Sequence, residues 1–123
     1  MMQKHIVVVD DETSIRTMLK KMLEAAGYRV SEARNALGVF GLGAYDLMLL
    51  DIKMPGIDGH KILSALKEDK SHTAPILVMS GLSDQGERAK ALEEGADGFL
   101  AKPVDKQVLL ATVAELLSHS PDR

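Results

Sequence analysis

Several residue types that carry binding or catalytic chemistry are scarce or absent in this chain of 123 residues. It has no cysteine, which excludes disulfide bonds and thiolate metal sites. Aromatic residues make up 3% of the chain, too few for a base-stacking surface. The formal net charge of -3 is too small to indicate a nucleic-acid partner. We therefore expect no direct nucleic-acid binding.

Long apolar runs are also missing. No run approaches the roughly 20 residues that a membrane helix needs, and the four apolar residues 6–9 are too few for the core of a signal peptide. The absence of cysteine suits a reducing compartment. We expect a soluble, cytoplasmic protein without a membrane partner, and its length fits a single domain.

Short apolar runs of strand length alternate along the chain with segments of helical periodicity. Runs as uniformly apolar as Ile6–Val9 are typical of strands buried on both faces of a parallel sheet. Five strand–helix repeats predict an α/β fold, doubly wound, with helices on both faces of the sheet and right-handed crossovers. The predicted strands cover residues 6–9, 28–33, 47–50, 76–79 and 98–101.

Polar side chains follow four of these five strands. Asp10 and Asp11 follow the first strand, Asp51 the third, Ser80 the fourth and Lys102 the fifth. Ligands of open parallel sheets bind at the carboxyl ends of the strands, so we expect these side chains to converge. Three crowded carboxylates need a cation, and their hard oxygens favour Mg²⁺. One carboxylate could then attack a phosphoryl group whose oxygens contact the lysine and the serine.

Each of these residues also has an ordinary structural explanation. A lone aspartate that ends a strand is usually a turn or cap residue, and an acidic pair before a helix complements the helix dipole. A single serine is usually structural and a single lysine usually solvated. Only their joint occurrence at successive strand ends favours a phosphoryl-transfer site. The four histidines are scattered, are expected at the surface and predict no metal site.

The chain resembles the response-regulator receiver domains over nearly its whole length. The spacings agree with that family, with 29 residues from Asp51 to Ser80 and 22 from Ser80 to Lys102. The motifs that carry the resemblance are Val9–Glu12, Leu49–Gly59, Met79–Gly81, Glu94–Leu100 and Lys102–Pro103. The resemblance implies a flavodoxin-like (βα)5 three-layer sandwich with a parallel five-stranded sheet in the order 2-1-3-4-5. Residues 1–118 would form the receiver domain and 119–123 a polar tail.

The resemblance also implies roles for the acidic residues. Asp51 would be the phosphoacceptor, phosphorylated by a sensor histidine kinase or a histidine phosphotransfer protein. Asp11, Asp51 and the backbone carbonyl of Lys53 would bind Mg²⁺, with Asp10 close by and acting partly through water. The domain would be a signalling phosphoacceptor, and not a classical enzyme, that assists its own Mg²⁺-dependent phosphorylation and dephosphorylation.

A switch is implied as well. Ser80 and Lys102 would contact the phosphoryl group, and Phe99 would turn inward as Ser80 moves toward the phosphate. This movement would reshape the face made by predicted helix 4, strand 5 and helix 5, through which the domain could form a homodimer. The peptide bond between Lys102 and Pro103 would be cis and would aim the lysine at the site.

The sequence departs from the family between the second and third strands. Only residues 34–45 are available for the second helix and its connections, which is near the lower limit for a crossover. Gly38, Gly41 and Gly43 each cost about 1 kcal/mol relative to alanine inside a helix. We predict a shortened helix 2, the shortest of five, in the least ordered internal stretch. A docked two-turn helix and an irregular loop exposing Phe40 are both compatible with this sequence.

Other functions share parts of the pattern. Aspartate-nucleophile phosphohydrolases of the haloacid dehalogenase type need a second aspartate two residues after the first, where this chain has Lys53. A flavodoxin-like electron carrier needs a Ser/Thr-rich phosphate loop after the first strand, where this chain has Asp10–Glu12. A receiver domain used as an unphosphorylated scaffold stays open, as does the choice between a stand-alone regulator and part of a longer chain.

Overall fold

A five-stranded parallel sheet forms the centre of the protein. The computed structural model describes residues 3–35, 38, 43–54, 57–81 and 85–118, with only the backbone described at 54, 57, 58 and 85. The five strands are β1 His5–Val9, β2 Arg29–Ala33, β3 Leu47–Asp51, β6 Ile76–Gly81 and β7 Gly98–Lys102. A separate antiparallel hairpin is made by β4 Lys53–Met54 and β5 Ile57–Asp58. The sheet order is β2-β1-β3-β6-β7, which confirms the predicted order 2-1-3-4-5.

Four α-helices lie in the described part of the chain. They are α1 Thr13–Ala25, α2 Gly59–Glu68, α3 Gln85–Glu93 and α4 Lys106–Ser118, and they correspond to predicted helices 1, 3, 4 and 5. None of them is long and apolar enough to span a membrane. The predicted short helix 2 falls mostly on residues 36, 37 and 39–42, which lie outside the described residues. Its shortening, its order and the exposure of Phe40 therefore stay predictions.

The sheet is covered by helices on both faces. Every residue of β1 and β3 is buried, which explains why these strands are apolar without alternation. Successive strand side chains point to opposite faces. Ile6 and Val8 belong to the apolar cluster that includes residues of α1 and α4, whereas Val7 and Val9 belong to the cluster that includes residues of α2 and α3. The result is the predicted three-layer sandwich.

The parallel register brings the carboxyl ends of the strands to one edge of the sheet. Val9 pairs with Leu50, and Asp51 pairs with Met79. Gly81 of β6 pairs with Lys102, the last residue of β7. Residues that end β3 and β7, or that follow β1, therefore lie at the same edge of the sheet.

The opposite edge of the sheet holds the amino ends of the strands. There the N–H of His5 donates a 2.7 Å hydrogen bond to the Asp46 carboxylate, and the His5 ring is hydrogen-bonded to the Ser31 hydroxyl, also at 2.7 Å. The side chain of Leu116, in the last turn of α4, lies beside Gly98 at the start of β7. The start of β1 and the end of α4 are thus at the same edge.

Candidate functional site

Three carboxylates meet at the carboxyl edge of the sheet. Asp10, Asp11 and Asp51 each offer an oxygen, and these oxygens all lie within 4.8 Å of one another. Asp10 and Asp51 are buried, with exposed fractions of 0% and 2%, whereas Asp11 is partly exposed. Such crowding of like charges in a poorly solvated place is unfavourable unless positive charge is close by.

Lys102 supplies part of that positive charge. Its Nζ donates hydrogen bonds to Asp10 Oδ2 at 2.8 Å and to Asp51 Oδ2 at 3.1 Å. Burial alone would lower the pKa of Lys102, but the hydrogen bond to Asp10 and the charge of Asp51 outweigh burial and raise this pKa. The peptide bond between Lys102 and Pro103 is cis. Three carboxylates and one ammonium leave a formal charge of about -2, which one divalent cation would neutralise.

Burial raises the pKa of Asp51. The N–H of Lys53, which donates to Asp51 Oδ1 at 2.9 Å, and the charge of Lys102 both act to lower this pKa, while the charge of Asp10 raises it. Burial and the second carboxylate prevail. The ionised form of Asp51 is therefore less favourable here than in water, and a bound cation would relieve that cost.

The main chain after Asp51 is held by a close contact with α2. The N–H of Ile52 donates to the Met79 carbonyl oxygen at 3.3 Å, which extends the sheet by one residue. Gly59, the first residue of α2, packs directly on the Ile52 backbone, so that a Cβ at Gly59 would lie 2.4 Å from the Ile52 carbonyl oxygen. This contact fixes the chain between Asp51 and Lys53, whose carbonyl is a candidate ligand.

The two predicted switch residues lie on β6, which neighbours β3, and on β7, the next strand of the sheet. Ser80 is buried in β6, one residue beyond Met79, the partner of Asp51. Phe99 of β7 is half-buried and packs against the apolar cluster beneath α2 and α3. The guanidinium carbon of Arg88, on α3, lies 5.8 Å from the centre of the Phe99 ring, within range of a cation–π interaction.

Two clusters of charged residues outside the carboxylate site were missed by the sequence analysis. Arg16 is buried in α1 and binds the main chain of Asp10. Its position three residues before Leu19, on the buried stripe of the helix, is the sequence signal that could have revealed it.

The second cluster links α2 to α3. His60 was expected at the surface, but its exposed fraction is only 8%. Its Nδ1 is hydrogen-bonded to Glu94 and its Nε2 to Glu87. Burial would lower the pKa of His60, but the hydrogen bonds to both glutamates outweigh burial and raise this pKa. No pattern in the sequence around His60 indicates that its partners lie 27 and 34 residues away.

The fold and this arrangement of residues are those of a known signalling family. The family model of the response regulator receiver domain matches residues 6–114, and the chain belongs to that family. Receiver domains are signalling domains of two-component response regulators, and they typically bind Mg²⁺ at a cluster of aspartates. In this chain Asp10, Asp11 and Asp51 form such a cluster.

Curated relatives are regulators that are longer than this chain. The transcriptional regulatory protein PcoR of Escherichia coli is 37% identical over 120 residues, which cover 95% of this chain and 53% of PcoR. The transcriptional regulatory protein ResD of Bacillus subtilis (strain 168) is 35% identical over 118 residues, which cover 94% of this chain and 48% of ResD. The chain thus spans about half the length of these relatives.

Solved structures agree with the family assignment. A putative response regulator from Chloroflexus aurantiacus J-10-fl superposes with a TM-score of 0.89 at 30% identity, covering 96% of this chain and 100% of that chain. The receiver domain of the TMAO respiratory system response regulator TorR gives a TM-score of 0.88 at 33% identity, covering 95% and 98%.

Proposed function

We propose that Asp51 is the phosphoacceptor of this receiver domain, and that Asp10, Asp11, Asp51 and the backbone carbonyl of Lys53 hold Mg²⁺. The observation that carries the proposal is the cluster of three carboxylates, two of them bridged by Lys102. The donor set fits Mg²⁺, because its atoms are hard oxygens and because the three carboxylates together with Lys102 have a formal charge of about -2, which a divalent ion neutralises. When bound, Mg²⁺ would neutralise negative charge on the carboxylates and on the incoming phosphoryl group.

The proposed reaction is transfer of one phosphoryl group to Asp51. A carboxylate oxygen of Asp51 forms a bond to phosphorus as the bond between phosphorus and the donor's leaving atom breaks, which yields an acyl phosphate. The Lys102 ammonium, already within hydrogen-bonding distance of Asp51, would bind one phosphoryl oxygen. The buried hydroxyl of Ser80 would bind another. The same groups would assist the later hydrolysis of the acyl phosphate by water.

The proposed phosphodonor in the cell is a sensor histidine kinase or a histidine phosphotransfer protein, with the domain in the cytoplasm. The proposed output surface is the face of α3, β7 and α4, which corresponds to predicted helix 4, strand 5 and helix 5. Two large apolar side chains are exposed on the helices of this face, Leu92 at 45% and Val108 at 52%. Coupled movement of Ser80 and Phe99 would reshape the face, and a homodimer could form through it.

Phosphorylation with a small phosphodonor tests the proposal. Acetyl phosphate and Mg²⁺ should add one phosphoryl group to the wild-type chain, and the product should be stable to acid and labile to base. Asp51→Asn should gain none by mass spectrometry. Asp105→Asn is the matched control, because Asp105 accepts a hydrogen bond from the Val108 N–H at 2.9 Å and asparagine also serves as an N-cap. Equal phosphorylation of Asp51→Asn and wild type would show that the acceptor is another residue.

A further inference from the structure

A buried arginine contacts the main chain at the acidic pair of Asp10 and Asp11. Arg16 of α1 has an exposed fraction of 8%, and its Nη1 donates a 2.6 Å hydrogen bond to the main-chain carbonyl oxygen of Asp10. A buried carbonyl oxygen without a partner is unfavourable, and this hydrogen bond provides one.

The other donors of Arg16 contact α1 and β2. Its Nη2 donates to Thr13 Oγ1 at 3.1 Å, at the start of α1, and its Nε donates to Glu32 Oε1 at 3.2 Å, on β2. Glu32 also pairs with Lys20 at 3.7 Å through its other oxygen. A planar guanidinium with donors in a fixed geometry can hold three such acceptors at once, and a lysine ammonium cannot reproduce that fork.

The remaining polar groups of Asp10 are held as well. Its N–H donates to the Ala33 carbonyl oxygen at 3.1 Å, its Oδ1 accepts the Glu12 N–H at 2.9 Å and its Oδ2 accepts Lys102 at 2.8 Å. The Asp10 carbonyl shares a planar peptide group with the N–H of Asp11. A bond to that carbonyl therefore sets the direction in which Asp11 leaves the strand.

We propose that Arg16 is a positioning residue that orients the Asp10–Asp11 peptide for binding of the divalent cation and so for phosphorylation of Asp51. This inference rests on the proposed function. Charge and geometry predict opposite effects of Arg16 on cation binding. As a positive charge near the carboxylates, Arg16 would repel a cation, and its removal would strengthen Mg²⁺ binding. As a positioning residue, it strengthens Mg²⁺ binding, and its removal weakens it.

Titration of the chain with Mg²⁺ by calorimetry separates these effects. Arg16→Lys keeps the charge and loses the fork, and we expect its Mg²⁺ affinity to fall by about 10-fold or more, as for other residues that orient metal ligands. Arg16→Met, which removes both charge and fork, should also bind Mg²⁺ more weakly. Lys20→Gln is the control. It removes a positive charge that is paired with the same Glu32, and the side chain of Lys20 makes no hydrogen bond to Asp10. It should bind Mg²⁺ like wild type.

The inference is overturned if Arg16→Lys binds Mg²⁺ like wild type, or if Arg16→Met binds it more tightly. Urea denaturation identifies variants that fail to fold. If both Arg16 variants fail, Thr13→Val decides, since it removes one acceptor of the guanidinium, and its Mg²⁺ affinity should be lowered. An unchanged affinity would overturn the inference. Failure of the proposed function looks different, because the wild-type chain itself would then bind no Mg²⁺ or accept no phosphoryl group at Asp51.

Discussion

Replacing Gly59 with alanine should destabilise the protein, although alanine is the better helix former. A Cβ on Gly59 would lie 2.4 Å from both the Cα and the carbonyl oxygen of Ile52, and 2.7 Å from its carbonyl carbon. Because these are main-chain atoms, no side-chain rotation relieves the clash, and the two segments must separate by about 0.6 Å to reach even 3.0 Å. Overpacking of this kind costs about 1–3 kcal/mol in the free energy of unfolding. The displaced chain lies between Asp51 and Lys53, so Mg²⁺ affinity should fall too.

Gly86→Ala is the matched control. Gly86 is the second residue of α3, and apart from its chain neighbours and its own helix backbone, no described residue has an atom within 4 Å of the position that its Cβ would occupy. Alanine there should raise the free energy of unfolding by about 0.4–1 kcal/mol and leave Mg²⁺ binding unchanged. Urea denaturation of both variants thus compares the same change, glycine to alanine, at two positions where opposite effects on the free energy of unfolding are expected. If Gly59→Ala were stabilised as much as Gly86→Ala, the steric argument would be refuted.

Further predictions concern charged and aromatic side chains. The pKa of His60 is raised above 6.5, because its hydrogen bonds to glutamates outweigh the opposing effect of burial. The contribution of His60 to the free energy of unfolding is therefore complete below pH 6.5 and is lost as pH rises through the raised pKa. Glu87→Gln should make that loss smaller when the free energy of unfolding is measured by urea denaturation at a series of pH values. Without Mg²⁺ at neutral pH, Asp51→Asn should raise the free energy of unfolding, because burial raises the pKa of Asp51 and an amide carries no charge to desolvate; a decrease would contradict this. Arg88→Gln should lose about 0.5–1 kcal/mol of interaction with Phe99, and additive losses in a double-mutant cycle with Phe99→Leu would exclude the cation–π interaction.

The α/β fold and much of the candidate site were predictable from local patterns. Asp10, Asp11, Asp51 and Lys102 each end or follow a short apolar run, and the carboxyl ends of parallel strands share one edge. The structure brings these four together, as expected. The order of the strands could be predicted only from the family resemblance, because runs buried on both faces carry no pattern that identifies their neighbours.

Buried charged residues were the main omission. Arg16 and His60 each pair with a glutamate that is distant in sequence. Glu32 is 16 residues from Arg16, and Glu94 is 34 residues from His60. Ion pairs of this kind depend on which elements of the fold pack beside each other. Periodicity within one segment has no information about that packing.

The start of β1 and the end of α4 lie at the edge of the sheet farthest from the carboxylates. A helix of 13 residues such as α4 is about 20 Å long, so Ser118 lies about that far from the start of the helix, toward the amino ends of the strands. A reporter or a second domain joined directly after Ser118 would begin at the edge of the sheet opposite the carboxylates. A module that stays at that edge could respond to a phosphoryl group on Asp51 only through movement of the helices and strands in between.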